Sequence, residues 1–385
     1  MVKIVERALQ MPQGSFFLFG PRGTGKSTWL GQRLNDAVMI DLLSDDACQR
    51  FLMRPDHLYD LAMGQREGQT IVVDEVQKVP ALLGVVHRSM EHRHDLRFVL
   101  TGSSARKLKR SGVDLLAGRA QVVTCHPFMA SELGEAFSLN SALRTGLVPL
   151  VWSAQDPATI LRSYMALYLR EEVQMEALVR NVGDFARFLQ AISFSHASQL
   201  NLSGVSRECQ VSRKTVEGYV SILEDLLIGH QLPVFAKRAK RQLVNHAKFY
   251  LFDCGVFRSL RPAGPLDRPG EIDGQALEGL VFQHLLAWRD YSGRGHELYY
   301  WRTKSGSEVD FVVYGDGCFA AIEVKNSDKV DRTDLRALRS FAEDFPEARR
   351  ILLYRGVDRL LIDDVLCLPC EVFLRALSPG GDLPG

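Results

Sequence analysis

A glycine-rich segment near the N-terminus has the residue types and the spacing needed to bind phosphate groups. It fits the pattern G-x-x-x-x-G-K-[ST] and lies between an apolar run, Phe16–Phe19, and a helix-like segment. Glycines let backbone N–H groups turn toward phosphate oxygens without a Cβ clash, and a helix N-terminus adds its positive dipole end. A glycine turn with an incidental lysine is the alternative, but it leaves this strand–loop–helix context unexplained. The predicted phosphate-binding residues are Gly20, Pro21, Arg22, Gly23, Thr24, Gly25, Lys26, Ser27 and Thr28.

Two parts of the chain could supply the reactive side chains for phosphate chemistry. In the glycine-rich segment, Lys26 offers a mobile cation to the β- and γ-phosphates and Ser27 offers a hydroxyl to Mg²⁺. Later, the apolar strand Ile71–Val73 ends in Asp74 and Glu75. Because parallel sheets bind ligands at the carboxyl ends of their strands, we expect Asp74 to hold Mg²⁺ through a water and Glu75 to polarise an attacking water. A strand that simply ends in two solvated acids is the alternative.

A third apolar strand, Phe98–Leu100, also ends in small polar residues. Ser103 or Ser104 could hydrogen-bond the γ-phosphate or the attacking water. Arg106 and Arg119 follow in the sequence, and an arginine there could stabilise charge on a transferred phosphoryl group. For both arginines, an ordinary surface charge is the competing interpretation.

The arrangement of short apolar runs predicts how the chain divides into domains. Residues 15–125 alternate strands with helical stretches, which is typical of an α/β unit with a parallel sheet covered on both faces. Residues 155–235 are predominantly helical, and strands return after position 246. A chain of 385 residues is too long for one ordinary core. We therefore predict three domains, residues 1–150, 151–245 and 246–385.

Composition excludes several classes of protein. The longest apolar runs are too short to cross a bilayer, and the N-terminus lacks an apolar export signal, so we expect a cytoplasmic protein without membrane contact. Seven dispersed cysteines argue against a disulfide framework. Cys367 and Cys370 form one C-x-x-C without a second ligand pair, and two half-buried thiols are the simpler interpretation. With 47 basic and 46 acidic residues, nucleic-acid binding would have to depend on local patches.

The middle of the chain contains a segment that resembles a helix-turn-helix. Ser212 is a plausible N-cap for a helix whose apolar residues, Val216, Val220, Leu223 and Leu227, recur at 4, 3, 4 spacing on one face. That face would bury the helix against its neighbours.

The start of the same helix could meet a nucleic acid. Arg213, Lys214 and Thr215 would lie exposed there, which is where recognition helices contact bases and phosphates. The basic run 237–241 follows at about the place of a winged-helix hairpin. Winged helices also serve as protein–protein modules, so a protein partner is the alternative.

Charged residues on two late strands could form a second reactive site. In the strand 320–325, Glu323 and Lys325 project from one face because side chains alternate along a strand. Asp310 lies in another apolar strand and could share a divalent metal with Glu323, while Lys325 orients or deprotonates water. Glu278, in the preceding helix, is the candidate fourth member. A buried Glu–Lys pair beside a solvated aspartate is the alternative.

The motifs together resemble a known group, the AAA-like ATPases of bacteria and archaea that carry a C-terminal domain of unknown function with a restriction-endonuclease-like core. The matching segments are GPRGTGKS, VVDEVQKVP, LTGSSARKL and LAGRA. The resemblance implies ATP as the nucleotide, since no guanine-selecting N-K-x-D is present, and a sensor-like strand between the P-loop and Asp74 strands. The family's Gly-Gly-Leu-Pro reads Gly146-Leu147-Val148-Pro149 here.

The late carboxylates resemble the PD-(D/E)xK phosphodiesterases, although Val309 stands where a proline usually precedes the aspartate. The expected fold is therefore an α/β P-loop NTPase sheet, a winged-helix-like helical region and a restriction-endonuclease-like α/β domain. The expected function is an ATPase that uses ATP and Mg²⁺ and couples nucleotide state to a DNA-interacting, nuclease-like half. Two alternatives stay open: a nucleotide-dependent switch that binds a protein partner through an inactive nuclease-like domain, and a metal nuclease regulated by ATP. The sequence also leaves open whether the protein is a homo-oligomer.

Overall fold

The computed structural model divides the chain into two compact units. One unit comprises Leu9–His126 and Asp225–Leu227, and we call it the N-terminal unit. The other comprises Pro127–Glu224, Ile228–Gly385 and the residues before Leu9, and we call it the C-terminal unit. The three predicted domains with boundaries at 150 and 245 stay a prediction. The structure describes residues 5–103, 116–165, 181–237, 246–265 and 267–385.

The secondary structure alternates short strands and helices in the N-terminal unit and gathers strands toward the C-terminus. The helices used below are α1 Lys26–Arg33, α2 Asp45–Met53, α3 His57–Met63, α4 Leu82–His92, α5 Ala130–Leu133, α6 Leu139–Thr145, α7 Pro149–Trp152, α8 Val182–Ser193, α9 Leu202–Cys209, α10 Arg213–Asp225, α11 Cys254–Leu260, α12 Pro269–Ser292, α13 Arg336–Asp344 and α14 Cys370–Ala376. The strands are β1 Phe16–Phe19, β2 Val38–Asp41, β3 Thr70–Asp74, β4 Arg97–Gly102, β5 Gln121–Thr124, β6 Ser198–Gln199, β7 Gly229–Leu232, β8 Lys248–Leu251, β9 Glu297–Arg302, β10 Glu308–Gly315, β11 Cys318–Val324, β12 Arg349–Tyr354, β13 Leu360–Ile362 and β14 Val365–Pro369.

A five-stranded parallel sheet forms the N-terminal unit, in the order β2-β3-β4-β1-β5. The prediction that the strand after Asp74 lies between the phosphate-loop strand and the Asp74 strand is confirmed, because β4 pairs with both β1 and β3. The apolar strands β1, β3 and β4 are buried almost throughout, as expected for a sheet covered on both faces. Side chains from α2, α3 and α4 complete this core.

The four strands predicted in this unit are confirmed, but the edge strand β5 was missed. Its four residues are exposed or half-buried, and Val122 keeps 57% of its surface exposed. Such a strand lacks the continuous apolar run that marks the central strands, so only its β-branched residues could have indicated it. It pairs in parallel with β1 and forms the edge of the sheet on that side.

A six-stranded mixed sheet dominates the C-terminal unit, in the order β13-β14-β12-β11-β10-β9. Strands β9, β10 and β11 are antiparallel neighbours, whereas β11, β12 and β14 run parallel. Buried aromatic side chains, including Trp301, Phe341 and Phe345, pack α13 against this sheet. The register against β9 shifts between Val309 and Val312, so Asp310 lies at a bulge, a feature that often re-aims a side chain.

The helical region before this sheet packs beside a small sheet of three strands, β6-β8-β7. The predicted cap of α10 is confirmed, since the Thr215 N–H donates to Ser212 Oγ over 3.1 Å. Val216, Val220 and Leu223 are buried as predicted, whereas Leu227 lies beyond the end of the helix and is only half-buried. Arg213 and Lys214 are exposed at the start of the helix, but Thr215 is half-buried. The remainder of the basic run, residues 238–241, lies outside the described residues.

Among the helices in the described parts of the chain, none has both the length and the apolar character that crossing a membrane requires.

Candidate functional site

The glycine-rich segment folds into a tight loop between β1 and α1. Gly23 and Gly25 adopt left-handed backbone conformations, with φ of 80° and 88°, which strain any residue that has a Cβ atom. The Thr24 hydroxyl donates to the Pro21 carbonyl over 2.7 Å and closes the turn. The loop therefore has the backbone shape that the sequence pattern predicts.

The predicted phosphate-binding lysine lies across this loop. Lys26 Nζ donates to the carbonyl oxygens of Gly20, at 2.7 Å, and Pro21, at 3.3 Å. Carbonyl oxygens are weaker partners for an ammonium than phosphate oxygens, so a triphosphate could take over these hydrogen bonds. Arg22 in the loop, and Ser27 and Thr28 in the first turn of α1, are exposed.

The start of the loop is held closely against the end of β5. A Cβ atom on Gly20 would lie only 2.4 Å from the carbonyl oxygen of Cys125, so no larger residue fits without moving the backbone. Cys125 Sγ in turn contacts the Thr24 carbonyl over 3.3 Å. The missed strand β5 therefore leads directly into a contact that shapes the phosphate loop.

The two residues predicted to bind Mg²⁺ in this unit lie in direct contact. Ser27 Oγ donates to Asp74 Oδ2 over 2.8 Å, and Thr101, at the end of β4, donates to Asp74 Oδ1. The Glu75 N–H donates to the Thr101 hydroxyl over 3.0 Å. The parallel pairing of β3 and β4 brings these strand ends together. Sequence reasoning missed Thr101, although it stands directly after the predicted strand 98–100.

Glu75 has an unusual backbone conformation. Its φ and ψ of 60° and 46° are left-handed, which costs a residue with a side chain about 1–3 kcal/mol. Gln77 Nε2 donates to Glu75 Oε2 and lies 3.4 Å from Ser103 Oγ. Gln77 is itself buried, so its amide forms a fixed bridge between the ends of β3 and β4. Sequence reasoning missed this glutamine too.

The predicted arginine Arg119 is exposed and contacts side chains of α4. Arg119 Nη2 lies 3.3 Å from Glu91 Oε1, and Arg119 Nη1 lies 2.8 Å from His87 Nε2. Its role at a phosphoryl group stays a prediction. Ser104 and Arg106 lie outside the described residues.

A second group of acidic residues meets in the C-terminal unit, and we call Glu278, Glu308, Asp310 and Glu323 the carboxylate cluster. The β10–β11 register pairs Phe311 with Ile322, which places the neighbouring Asp310 opposite Glu323. Asp310 Oδ2 also accepts the Val324 N–H over 3.0 Å. The predicted proximity of Glu278, Asp310 and Glu323 thus exists in the structure.

A lysine that sequence reasoning missed lies within the carboxylate cluster. Lys248 Nζ is 2.9 Å from Glu278 Oε1, 2.6 Å from Glu308 Oε1 and 3.0 Å from Asp310 Oδ1. Burial lowers the pKa of Lys248, but the surrounding carboxylates outweigh that effect and hold it well above its usual value. A charged residue in an otherwise apolar strand, β8, was the available signal, but its partners come from other elements.

The predicted Glu323–Lys325 pair is present, with Lys325 Nζ 2.7 Å from Glu323 Oε1. Burial, and then the nearby Asp310, raise the pKa of Glu323 to about 8. The same two causes raise the pKa of Glu278 to about 7. Glu323 Oε2 is buried without a hydrogen-bond partner. Among the described residues, no group of three or more His, Cys, Asp or Glu side chains is arranged to hold a metal ion.

Comparisons with known proteins divide the chain into three matched segments. Residues 13–134 match the family model of an AAA domain. Residues 137–267 and 273–373 match two domains of unknown function, DUF8612 and DUF4143. An uncharacterized protein of Mycobacterium tuberculosis is 27% identical over 316 residues, which cover 80% of this chain and 70% of that protein. One of Haemophilus influenzae is 23% identical over 259 residues, covering 63% and 62% of the two chains.

The N-terminal unit contains a P-loop ATPase domain. Its AAA match and its parallel sheet with the phosphate loop agree on this fold. Among solved structures, the chain is similar to a Walker-type ATPase of Pyrococcus abyssi at 14% identity, covering 64% of this chain and 91% of that one, with a TM-score of 0.45.

The residues of the P-loop ATPase domain fit a nucleotide with magnesium. The Ser27 hydroxyl and the Asp74 carboxylate are hard oxygen ligands that already lie together, and bound Mg²⁺ would supply charge neutralisation for the phosphates. Lys26 could bind phosphate oxygens, and Glu75, which contacts Gln77, could orient an attacking water. Thr101 keeps Asp74 and Glu75 in one fixed relation.

Proposed function

We propose that the protein hydrolyses ATP and couples its nucleotide state to nucleic-acid binding by the C-terminal unit. The observation that carries the hydrolase part is the chain of hydrogen bonds Ser27–Asp74–Thr101–Glu75 at the end of the parallel sheet. It gathers a candidate magnesium ligand set and a candidate base at the loop that binds phosphate. A protein whose glycine loop had only a structural role would not need this arrangement.

The exposed start of α10 supports the nucleic-acid part of the proposal. Arg213 and Lys214 are two exposed cations on a helix whose apolar side chains are buried. Arg213 also pairs with Glu217 over 3.1 Å, an exposed contact that a phosphate could displace at little cost. The same proposal includes a winged-helix-like region and a restriction-endonuclease-like domain in the C-terminal unit. It also includes a cytoplasmic location and a homo-oligomer.

The hydrolase part is tested by ATP turnover with Mg²⁺ in wild type, Lys26→Ala and the exposed-lysine control Lys329→Ala. We expect Lys26→Ala to lower turnover by about 10²–10³-fold, since it removes one preorganised charge at the transferred phosphoryl group. The control should retain wild-type turnover. Equal turnover in wild type and Lys26→Ala would refute the hydrolase proposal.

The nucleic-acid part needs a separate experiment. DNA binding over a range of salt concentrations should weaken in the double variant Arg213→Ala/Lys214→Ala, with a shallower salt slope by about one per lost phosphate contact. The matched control Lys329→Ala/Arg332→Ala removes the same charge from another exposed site. No binding by wild type at low ionic strength would instead favour the second candidate function.

That second candidate is a nucleotide-dependent switch that binds a protein partner. It is favoured by one observation, the three ion pairs that engage Lys248 inside the carboxylate cluster. A nuclease-like site whose carboxylates are paired with a lysine suits a domain that binds a partner without cleaving a nucleic acid. Wild-type protein that hydrolyses ATP but shows no ATP-dependent DNA binding would point to this function.

A further inference from the structure

The ammonium group of Lys248 lies among three members of the carboxylate cluster. A lysine ammonium has three N–H donors and no acceptor. Lys248 Nζ donates hydrogen bonds to Glu278 Oε1 over 2.9 Å and to Asp310 Oδ1 over 3.0 Å, and it forms an ion pair with Glu308 Oε1 at 2.6 Å. The lysine is therefore bound as a central cation by oxygens from α12 and β10.

The same carboxylates are held by further donors. The Tyr250 hydroxyl donates to Glu278 Oε1 over 2.6 Å. Arg302 Nη1 donates to Glu308 Oε2 over 2.6 Å, and the Val324 N–H donates to Asp310 Oδ2. Each of the three carboxylates thus accepts a second donor besides contacting Lys248, and the arrangement is centred on a nitrogen atom.

A divalent metal does not fit this arrangement. Mg²⁺ needs oxygen ligands at about 2.1 Å, closer than any of the three carboxylate oxygens lies to Lys248 Nζ. The ion would have to displace the ammonium, whose side chain is only 2% exposed. Expelling the ammonium from this buried site would break three ion pairs at once, two of which are also hydrogen bonds.

We propose that Lys248 is a built-in cation that takes the place of a divalent metal at Asp310, one of the two carboxylates predicted to share such an ion in the PD-(D/E)xK-like site. The carboxylate cluster is then a permanent ion-pair centre joining β8, α12 and β10. The C-terminal unit keeps the charged residues of a nuclease-like site without holding a catalytic metal there. This inference concerns the C-terminal unit alone and does not depend on ATP hydrolysis.

The test compares Mn²⁺ binding by wild type and by variants of the whole 385-residue chain, without nucleotide. Electron paramagnetic resonance measures the bound Mn²⁺. Wild type and Asp310→Asn should bind Mn²⁺ equally, because the cluster contributes no site in either. Lys248→Ala should gain a Mn²⁺ site with a Kd roughly tenfold or more below that of any Mn²⁺ binding by wild type, since removal of the ammonium leaves uncompensated carboxylates around a space. Adding Asp310→Asn to Lys248→Ala should remove that site. The exposed-lysine control Lys329→Ala should match wild type.

Two results would overturn the proposal. One is a Mn²⁺ site in wild type that disappears in Asp310→Asn, or Mn²⁺-dependent nicking of plasmid DNA that the same variant abolishes. The other is a folded Lys248→Ala protein without an additional Mn²⁺ site. If Lys248→Ala does not fold, the comparison of wild type with Asp310→Asn decides the question by itself.

Discussion

Ser27 and Asp74, 47 positions apart in the sequence, share a hydrogen bond of 2.8 Å between Oγ and Oδ2. The contact joins the first turn of α1 to the end of β3. It brings together the hydroxyl and the carboxylate that magnesium would use with a bound triphosphate. Four further consequences of the geometry can be measured.

The first prediction concerns the entry to the phosphate loop. Gly20→Ala should destabilise the N-terminal unit by about 1–3 kcal/mol and weaken nucleotide binding, because its Cβ would meet the Cys125 carbonyl oxygen at 2.4 Å. Urea unfolding and fluorescent-nucleotide titration measure the two effects. The control is Gly31→Ala in α1, where a Cβ meets nothing within 4 Å. That change should leave binding intact and stabilise the helix by about 0.5–1 kcal/mol. Equal behaviour of the two variants would contradict the prediction.

The second prediction concerns Thr101. Thr101→Val removes the hydroxyl that donates to Asp74 and accepts the Glu75 N–H, leaving two polar groups unpaired near the end of the sheet. We expect a stability loss of about 1–3 kcal/mol and a turnover about tenfold lower. Thr124→Val, in the edge strand β5, is the matched control. Full ATPase activity in Thr101→Val would show that the serine–aspartate contact alone positions the site.

The third prediction separates binding from catalysis at Gln77. Gln77→Ala should lower kcat by about tenfold while the nucleotide Kd stays unchanged, because the amide contacts Glu75 and not the phosphate loop. Gln77→Glu should reduce kcat further, since a second carboxylate would repel Glu75. Steady-state kinetics and nucleotide titration give both constants, with the exposed Gln121→Ala as the control. A kcat equal to that of wild type in Gln77→Ala would rule out a positioning role.

The fourth prediction concerns the pH dependence of stability. Glu323 has a pKa of about 8 in the folded protein, against about 4.3 in an unfolded chain. Between these values the folded state binds more protons than the unfolded state, so its contribution to stability decreases as pH rises. Glu323→Gln, a neutral mimic of the protonated acid, should therefore flatten the loss of stability between about pH 6.5 and 8.5.

Urea unfolding at several pH values measures this slope. The range avoids the buried histidines, His196 and His284, whose folded pKa values of about 3 and about 4 cost stability as pH falls below about 6.5. The exposed Glu271→Gln variant serves as a control with the same chemical change. Parallel slopes for wild type and Glu323→Gln would refute the assignment of this proton to Glu323.

The sequence predicted the central strands and the phosphate loop because both depend on local rules. Apolar runs of three or four residues indicated β1, β3 and β4. The spacing of the residues from Gly20 to Ser27 predicted a phosphate-binding loop. The short exposed strand β5 carries no such run. The cap at Ser212 was likewise predictable, since an N-cap bonds within three residues of itself.

The sequence by itself determined which residue types could perform phosphate chemistry: a lysine, a serine and two carboxylates at spacings that a loop and a strand end impose. Only the tertiary structure decided which distant side chains stand beside them. Lys248 meets Glu278 and Asp310 across 30 and 62 positions, and Thr101 meets Asp74 across 27. Such contacts depend on strand order and helix packing, which bring together residues that are distant in the sequence. The local spacing of residue types therefore cannot predict them.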